Sequence, residues 1–471
     1  MKYLYILYIL TFYFPSWSSG QGGLIFDDAA YAQVPKWMVV SQGSQFAGLP
    51  ISISFRAYTP PPKDQKSDKT CVAWSMAYGA YSTMKALYEG EGDKEKIEAL
   101  AYSAMYPHIC IKRSPRVGMT FNEMVEFLVN KGDCLYQDYP VYDPDTRIPD
   151  ELHRKALAFR IAGYNALFEQ NANDSVKLGT IQQALSISKP VVIGLKTDKT
   201  FKNLQSNKWE PEEDIIAQHA VLVIGYNRVL KQFELMNSQG DTWGDNGYCY
   251  VSYEDLLRRI KYAYILNIGD EEDKMENLAG SFALQYPQKD GSDDFHFEEA
   301  EVEWLGNAQY ELLRKDWRVN DLFQFILRDC QEGKYAYVFS IDSKGNLGIH
   351  LPRVEQYGNG QQFMNQNESP RIPFDNAEII VPSEYEGLAL TSVGTDNLIV
   401  LYTAKELVDF HNKVQEVRNA EGSIYERLQT VWGDQLVEEA EVEYISDRIT
   451  FNANVASNKI VPVILSVETI R

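Results

Sequence analysis

A run without a charged residue, TCVAWSMAYGAYSTM at residues 70–84, constrains this chain more than any other feature. Apolar residues recur there at helical spacing, and the periodicity predicts a helix from Cys71 to Leu87. Thr70 is expected to cap this helix, which places Cys71 in its first turn. Unpaired backbone N–H groups and the positive end of the helix dipole lie in that turn, and both stabilise a thiolate. The stretch by itself leaves two interpretations open for Cys71, a nucleophile or a small buried core residue.

Three further residues are candidates to support such a nucleophile. His219 opens the apolar strand HAVLVIGYN, which would hold its ring rigidly and partly shielded from water. Asn237 ends the next predicted strand, and its side chain can accept from one imidazole nitrogen and leave the other facing the cysteine. Gln65 lies six residues before Cys71, where its amide and the Cys71 N–H can bind an oxyanion. Each residue alone also fits an ordinary place in a core, a turn or a loop.

The order Gln65, Cys71, His219 and Asn237 resembles that of the papain-like cysteine peptidases. The segments CVAWS, QHAVLVIGYN and NSQGDTWGDNGY carry the likeness, which covers residues 53–268. It implies an α+β, two-lobed fold with a helical lobe, a β-barrel-like lobe and the active site in the cleft between them. It also implies hydrolysis of peptide bonds in proteins or peptides through a thioester on Cys71, with no cofactor and no metal.

The same resemblance implies a substrate pocket that includes Thr120, Phe121 and Gly194. The absence of a side chain at Gly194 predicts room for a bulky apolar group of the substrate.

Two positions depart from the family pattern. Asp68 stands where many relatives carry a second cysteine, and a carboxylate there is predicted to raise the pKa of Cys71 if it lies close enough. Gln239 replaces the tryptophan that usually follows the asparagine by two residues, so Trp243 is predicted to shield the hydrogen bond between His219 and Asn237.

The N-terminus has the pattern of a secretory signal. Lys2 is followed by uncharged residues from Tyr3 to Phe14, and then by Pro15 and small residues. We therefore expect a signal peptide at 1–20, a secreted or periplasmic protein, and no membrane span after its removal. Residues 21–52 are expected to form an N-terminal or pro-segment. The chain has five cysteines, and Cys110 and Cys134 are candidates for a disulfide in an oxidising compartment.

The formal net charge of −21 is unevenly distributed. Residues 1–270 hold 30 acidic and 28 basic side chains, whereas residues 271–471 hold 36 and 17. This jump predicts two domains, joined by an acidic linker at 269–294. The acidic half argues against a nucleic-acid partner, because a phosphate backbone requires a basic face.

The region 295–471 is predicted to be a β-rich domain. Strand-like runs occupy 335–342, 377–382, 397–403 and 461–470, and one helical stretch covers 404–430. The region resembles a small β-rich domain of unknown function that is found beside bacterial enzymes. Binding of a surface or a partner and a purely structural role are both open for it.

Three classes of function fit the whole chain. The first is an exported cysteine peptidase, and the second is a binding or adhesion protein on an inactive protease scaffold. The third is a thiol-dependent acyl transferase. The presence of Gln65, Cys71, His219 and Asn237 favours the first class over the second.

Overall fold

The computed structural model describes residues 22–38, 40–41, 43, 48–143, 147–269, 275–289, 295–353 and 367–471. The predicted signal at 1–20 and residues 270–274 and 290–294 of the predicted linker lie outside these residues. Within the described part, no helix combines the length and the apolar character that crossing a membrane requires.

The predicted apolar helix is present and begins at Cys71. It comprises Cys71–Ala73, a π-helical part at Trp74–Tyr81 and a final part at Ser82–Glu89. Every residue from Cys71 to Tyr81 is buried, which explains why the run carries no charge. The predicted cap is wrong, because the buried Thr70 hydroxyl makes no hydrogen bond to the described residues. The Thr70 backbone, at φ −110° and ψ 11°, lacks the extended conformation typical of a capping residue.

The helices Met105–Lys112 and Phe121–Lys131 contact the start of this central helix, and a seven-stranded antiparallel sheet packs against it as well. The sheet order is β2-β7-β3-β4-β5-β6, with β1 paired to β4. The other helices of the domain span Asp28–Gln33, Lys94–Ala99, Met105–Lys112, Phe121–Lys131, Asp150–Ala156, Asp174–Ser186, Lys199–Lys202 and Tyr253–Arg259, with a 3-10 turn at Leu157–Phe159. The strands are β1 (Ser52–Ser54), β2 (Gly163–Ala166), β3 (Val191–Thr197), β4 (Ala217–Asn227), β5 (Gln232–Met236), β6 (Tyr248–Ser252) and β7 (Ile260–Asn267).

The C-terminal domain is β-rich, as predicted, and its described residues form two sheets and two helices. One sheet has the order β10-β11-β21-β18-β14-β15, with β12 beside β21. The other has the order β16-β13-β8-β20-β19, with β17 beside β13 and β9 beside β8. The strands are β8 (Met275–Lys289), β9 (Phe295–Glu299), β10 (Val302–Gly306), β11 (Gln309–Leu312), β12 (Trp317–Arg318), β13 (Leu322–Cys330), β14 (Tyr335–Ile341), β15 (Leu347–Leu351), β16 (Ala377–Val381), β17 (Leu388–Ala389), β18 (Gly394–Thr403), β19 (Val442–Tyr444), β20 (Ile449–Ala456) and β21 (Ile460–Ile470), and the helices are Phe410–Asn419 and Ile424–Trp432, with 3-10 turns at Gly433–Gln435 and Glu439–Glu441.

The central strands of the first of these two sheets, β14, β18 and β21, are largely buried on both faces. Because side chains alternate along a strand, Val338 of β14 faces the other sheet, whereas Phe339 faces the two helices. The sheets meet where the Tyr402 and Phe451 rings lie 5.3 Å apart, and Phe410 from the first helix packs 6.1 Å from Phe339. Burial on both faces explains the continuous apolar runs that predicted these strands.

The segment 275–289 corrects the predicted acidic linker. It forms β8, which pairs with β13 on one side and β20 on the other, at the centre of its sheet. Apolar side chains are buried at alternate positions of this segment, at Leu278, Phe282, Leu284 and Tyr286. Their burial favours a strand here, although acidic residues stand on either side in the sequence. The boundaries of the two domains remain a prediction.

The two domains are packed against each other. A single cluster of buried apolar side chains runs through both. Polar contacts also join them: Lys189 Nζ lies 3.4 Å from Glu332 Oε1, and Arg371 donates to the Asn267 side chain. The C-terminal domain therefore lies directly on the domain that contains Cys71.

Candidate active site

Cys71, His219 and Asn237 come together where the central helix meets the sheet. His219 lies on β4, and its Nε2 is 2.8 Å from Asn237 Oδ1 just beyond β5. Charge and hydrogen bonding also couple this ring to the Cys71 side chain, as the shifted pKa values of both groups indicate. Ser75, one turn along the helix, donates to the Ala220 carbonyl at 2.8 Å and fixes the helix against β4. The imidazole of His219 thus lies between the thiol of Cys71 and the amide oxygen of Asn237.

The electrostatics of this group favour a thiolate–imidazolium pair. Burial by itself would raise the pKa of the Cys71 thiol, but the charge of His219, a hydrogen bond with that ring and backbone hydrogen bonds of Ala220 and Gly23 outweigh burial and lower this pKa. Burial by itself would lower the pKa of His219, but the Cys71 charge and the hydrogen bonds to Cys71 and Asn237 raise it above its ordinary value. The opposite directions mean that each charged form stabilises the other.

Gln65 is held next to this group by two hydrogen bonds. Its Oε1 accepts from the Ser238 hydroxyl at 2.6 Å, and its Nε2 donates to the Asp68 carbonyl at 2.7 Å. Only 2% of the residue is exposed, so the amide is fixed in one orientation. Ser238 belongs to the segment that carried the likeness around Asn237, but its contact with Gln65 was not predicted.

The predicted shield of the His219–Asn237 bond is built differently from the expectation. The ring in contact with His219 is that of Phe201, with 5.7 Å between centroids. Trp243 packs behind Phe201 at 5.0 Å, and its Nε1 donates to the Phe201 carbonyl at 2.6 Å. Trp243 therefore positions the shielding ring instead of covering the bond itself. No local sequence signal connects Phe201 to this place, because the contact depends on the fold.

Asp68 lies in an ion pair rather than against the sulfur. Its Oδ1 is 3.5 Å from Arg116 Nε, on the loop that precedes the helix at Phe121–Lys131. The expectation that Asp68 raises the pKa of Cys71 is therefore not supported by its contacts.

Two of the three predicted pocket residues lie together. A methyl group placed on Gly194 would come within 2.9 Å of Phe121 Cε2, so Phe121 closes over the glycine. Thr120 caps the helix Phe121–Lys131, where its hydroxyl and its backbone form a capping box with Glu123. Met119, fully buried beside it, was not predicted.

The space in front of Gly194 and Cys71 is filled by residues 22–26 of the chain itself, which we call the cleft strand. The Gly23 N–H donates to Cys71 Sγ at 3.3 Å. Leu24 pairs in parallel with Met119, through Met119 N to Gly23 O and Ile25 N to Met119 O, both 2.9 Å. Cys71 is 0% exposed as a result, so no substrate carbonyl can reach its sulfur in this form.

The two glycines of the cleft strand lie so close to neighbouring backbone that no side chain would fit at either position. A methyl group on Gly22 would lie 2.3 Å from the Gln218 carbonyl oxygen, and one on Gly23 would lie 2.2 Å from that of Lys69. Both distances are far below a van der Waals contact, and both obstacles are backbone atoms. The side chain of Leu24, by contrast, lies against Gly194, where a bulky group was predicted to fit.

The remaining cysteines are not part of this site. All five cysteines are among the described residues and all are free thiols, so Cys110 and Cys134 are not bonded. Burial raises the pKa of Cys110 to about 12, which makes it a poor nucleophile. In the described part of the chain, no group of three His, Cys, Asp or Glu side chains is placed to hold a metal ion.

A model of a known protein family matches the part of the chain that carries this fold and this arrangement. The model of the papain family of cysteine proteases matches residues 57–263, which is less than half of the chain. The match is to the family that the sequence motifs indicated, and it covers the segment that contains Cys71, His219 and Asn237.

Individual relatives are distant. The chain is 27% identical over 136 residues to an uncharacterized peptidase C1-like protein of Acanthamoeba polyphaga mimivirus, covering 27% of this chain and 44% of that protein. It is 22% identical over 203 residues to the gamete and mating-type specific protein A of Dictyostelium discoideum, covering 43% and 42%. The chain thus spans less than half the length of these curated relatives.

The sequence identity to a solved structure is lower still. Xylellain, a cysteine protease from Xylella fastidiosa, is 17% identical, with a TM-score of 0.44, and the match covers 54% of this chain and 97% of that one.

Proposed function

We propose that this protein is a cysteine peptidase that hydrolyses peptide bonds through a thioester on Cys71. The observation that carries the proposal is the contact series from Cys71 through His219 to Asn237, in which the thiol pKa is lowered and the imidazole pKa is raised. Such a pair has its nucleophile already ionised and its general acid already protonated.

The reaction proceeds in two steps. The Cys71 thiolate attacks the peptide carbonyl carbon, and the oxyanion receives hydrogen bonds from the Cys71 N–H and the Gln65 amide. His219 gives its proton to the leaving amine as the C–N bond breaks, which leaves a thioester. His219 then takes a proton from water, the hydroxide attacks the thioester, and the carboxylic acid leaves as the thiolate is restored. Asn237 keeps the ring oriented throughout.

The described form of the chain is proposed to be latent, because the cleft strand covers Cys71. Gly194 and Phe121 would bind an apolar substrate side chain where Leu24 lies now. Export is proposed as well, and residues 1–20 support it. A thiol-dependent acyl transferase would use the same residues, but no described contact favours an amine acceptor over water.

The test separates these functions. A peptide with a blocked N-terminus and a fluorogenic leaving amine is incubated with the Gly23→Ala variant, whose added methyl group does not fit beside Lys69. We expect one carboxylate product per amine released. A product that carries an added amine would assign the protein to the acyl transferases, whereas failure of an epoxide thiolate trap to label Cys71 would indicate an inactive scaffold.

The pH profile of kcat/KM tests the ion pair. Activity should rise with pH as Cys71 loses its proton, at a pH below the ordinary thiol pKa because that pKa is lowered. It should fall as His219 loses its own proton, at a pH above the ordinary imidazole pKa because that pKa is raised. Asp68→Asn should leave the acid limb where it is, because Asp68 faces Arg116.

Asp64→Asn, in the same loop, is the matched control for Asp68→Asn. If Asp68 acted on the sulfur, its neutralisation would lower the Cys71 pKa and move the acid limb to lower pH, relative to both the parent and the control. A profile without an alkaline limb would contradict the ion pair itself.

A further inference from the structure

The cleft strand is one end of a longer N-terminal segment whose other end contacts both domains. Residues 34–38, which we call the anchor, follow the helix Asp28–Gln33. Four of the five anchor residues are buried, including Lys36 at 0% exposed and Trp37 at 6%. Of the five residues of the cleft strand, in contrast, only Gly23 and Leu24 are buried. The anchor is therefore the firmly bound part of this segment.

The backbone of the anchor lies between the two domains. On one side Lys36 pairs with Ala166 of β2, through Trp37 N to Ala166 O at 2.8 Å and Ala166 N to Pro35 O at 3.0 Å. On the other side Lys36 pairs with Glu368 of the C-terminal domain, and Ser369 N donates to Lys36 O at 2.7 Å. One residue thus joins the sheet of the peptidase domain to the C-terminal domain.

Side chains of the C-terminal domain complete this contact. The Phe374 ring lies edge-on to Trp37, with 6.4 Å between centroids. The Asn367 amide donates to the Ala32 carbonyl at 2.8 Å. The buried Lys36 Nζ donates to the carbonyls of Tyr31 and Val34 at 2.9 and 2.7 Å, which fixes the turn that leads from the helix into the anchor.

The helix Asp28–Gln33 connects the anchor to the cleft strand and is itself fixed against the sheet. Tyr31 is fully buried, and its ring stacks on Tyr262 of β7 at 4.3 Å. When the anchor is bound, return of the cleft strand to Cys71 is an intramolecular step at high effective concentration. A cleft strand without a fixed anchor would compete with substrate much less strongly.

We propose that the C-terminal domain, through Asn367 and Phe374, holds the anchor and thereby keeps the cleft strand over Cys71. The C-terminal domain is then the element that maintains latency, and loss of its contact with the anchor opens the cleft. The inference rests on the proposed function only in taking Cys71 as the group that is protected.

The experiment compares matched pairs of variants in the full chain. Phe374→Ala removes the ring beside Trp37, and Phe410→Ala removes a similarly buried ring of the same domain, which packs from the first helix against Phe339 of β14. Asn367→Ala removes the hydrogen bond to Ala32, and Asn346→Ala removes an amide that donates only within its own loop, to Asp342. The readout is the rate at which iodoacetamide alkylates Cys71, followed by mass spectrometry, with peptide hydrolysis measured in parallel.

We expect alkylation of Cys71 to be about tenfold or more faster in Phe374→Ala, with a smaller increase in Asn367→Ala, because the open population rises. Both controls should react like the parent. Cys249, buried within β6, should stay unreacted in all of them and so shows that the chains remain folded.

The possible results distinguish the holding role of the C-terminal domain from the proposed peptidase function. If Cys71 reacts no faster in Phe374→Ala than in Phe410→Ala, the proposal is overturned. If Phe374→Ala exposes Cys249 as well, the comparison of Asn367→Ala with Asn346→Ala decides in its place. If Cys71 becomes reactive and no peptide is cleaved, the holding role stands and the proposed peptidase function fails.

Discussion

Substitution of Gly23 by alanine is expected to increase peptide hydrolysis about tenfold or more, because the population of open clefts rises. The added methyl group would lie 2.2 Å from the Lys69 carbonyl oxygen and 2.3 Å from its carbon. Lys69 is fixed through its own N–H to the Pro115 carbonyl at 2.8 Å, so the cleft strand has to move instead. Initial rates on a fluorogenic peptide measure the effect.

Gly92→Ala is the matched control for this substitution. No atom lies within 4 Å of the methyl group that it adds, so its rate should equal that of the parent. If Gly23→Ala is no faster than Gly92→Ala, and Cys71 is alkylated no faster in it, the cleft strand does not limit access to the nucleophile.

Substitution of Cys71 by alanine in the Gly23→Ala chain is expected to reduce hydrolysis to below about 1% of the activity of that chain, because removal of a nucleophile costs several orders of magnitude. The fold should persist, since a sulfur atom is replaced by nothing larger. Cys110→Ala is the control, because burial raises the pKa of that thiol to about 12 and it plays no part in the reaction. Residual hydrolysis well above this limit in the Cys71 variant, or equal losses in both variants, would contradict the role of Cys71.

The candidate site was predictable from the sequence because each of its main residues carries a local signal. Cys71 heads an uncharged helix, His219 opens a buried strand and Asn237 ends the next strand. These signals depend on periodicity and on neighbouring residues, which one chain is enough to show. The contacts of Phe201 and Ser238 carry no such signal, because they form only when segments distant in sequence meet.

The strand β8 was missed although its signal was present. Buried residues recur at every second position from Leu278 to Tyr286, as in a half-buried strand. The acidic, turn-forming residues on either side dominate the composition of the whole stretch and obscure this alternation. The path of the cleft strand could not be predicted at all, since its hydrogen bonds go to residues such as Met119 that lie far along the chain.

The double contact of Lys36 has a consequence for the order in which the protein is made. Synthesis proceeds from the N-terminus, so the cleft and the β2 partner of the anchor emerge before Glu368 and Phe374 do, and domains generally fold in that order. During this interval the anchor has one of its two partners. The nascent chain thus contains Cys71, His219 and Asn237 before it contains the part of the C-terminal domain that contacts the anchor.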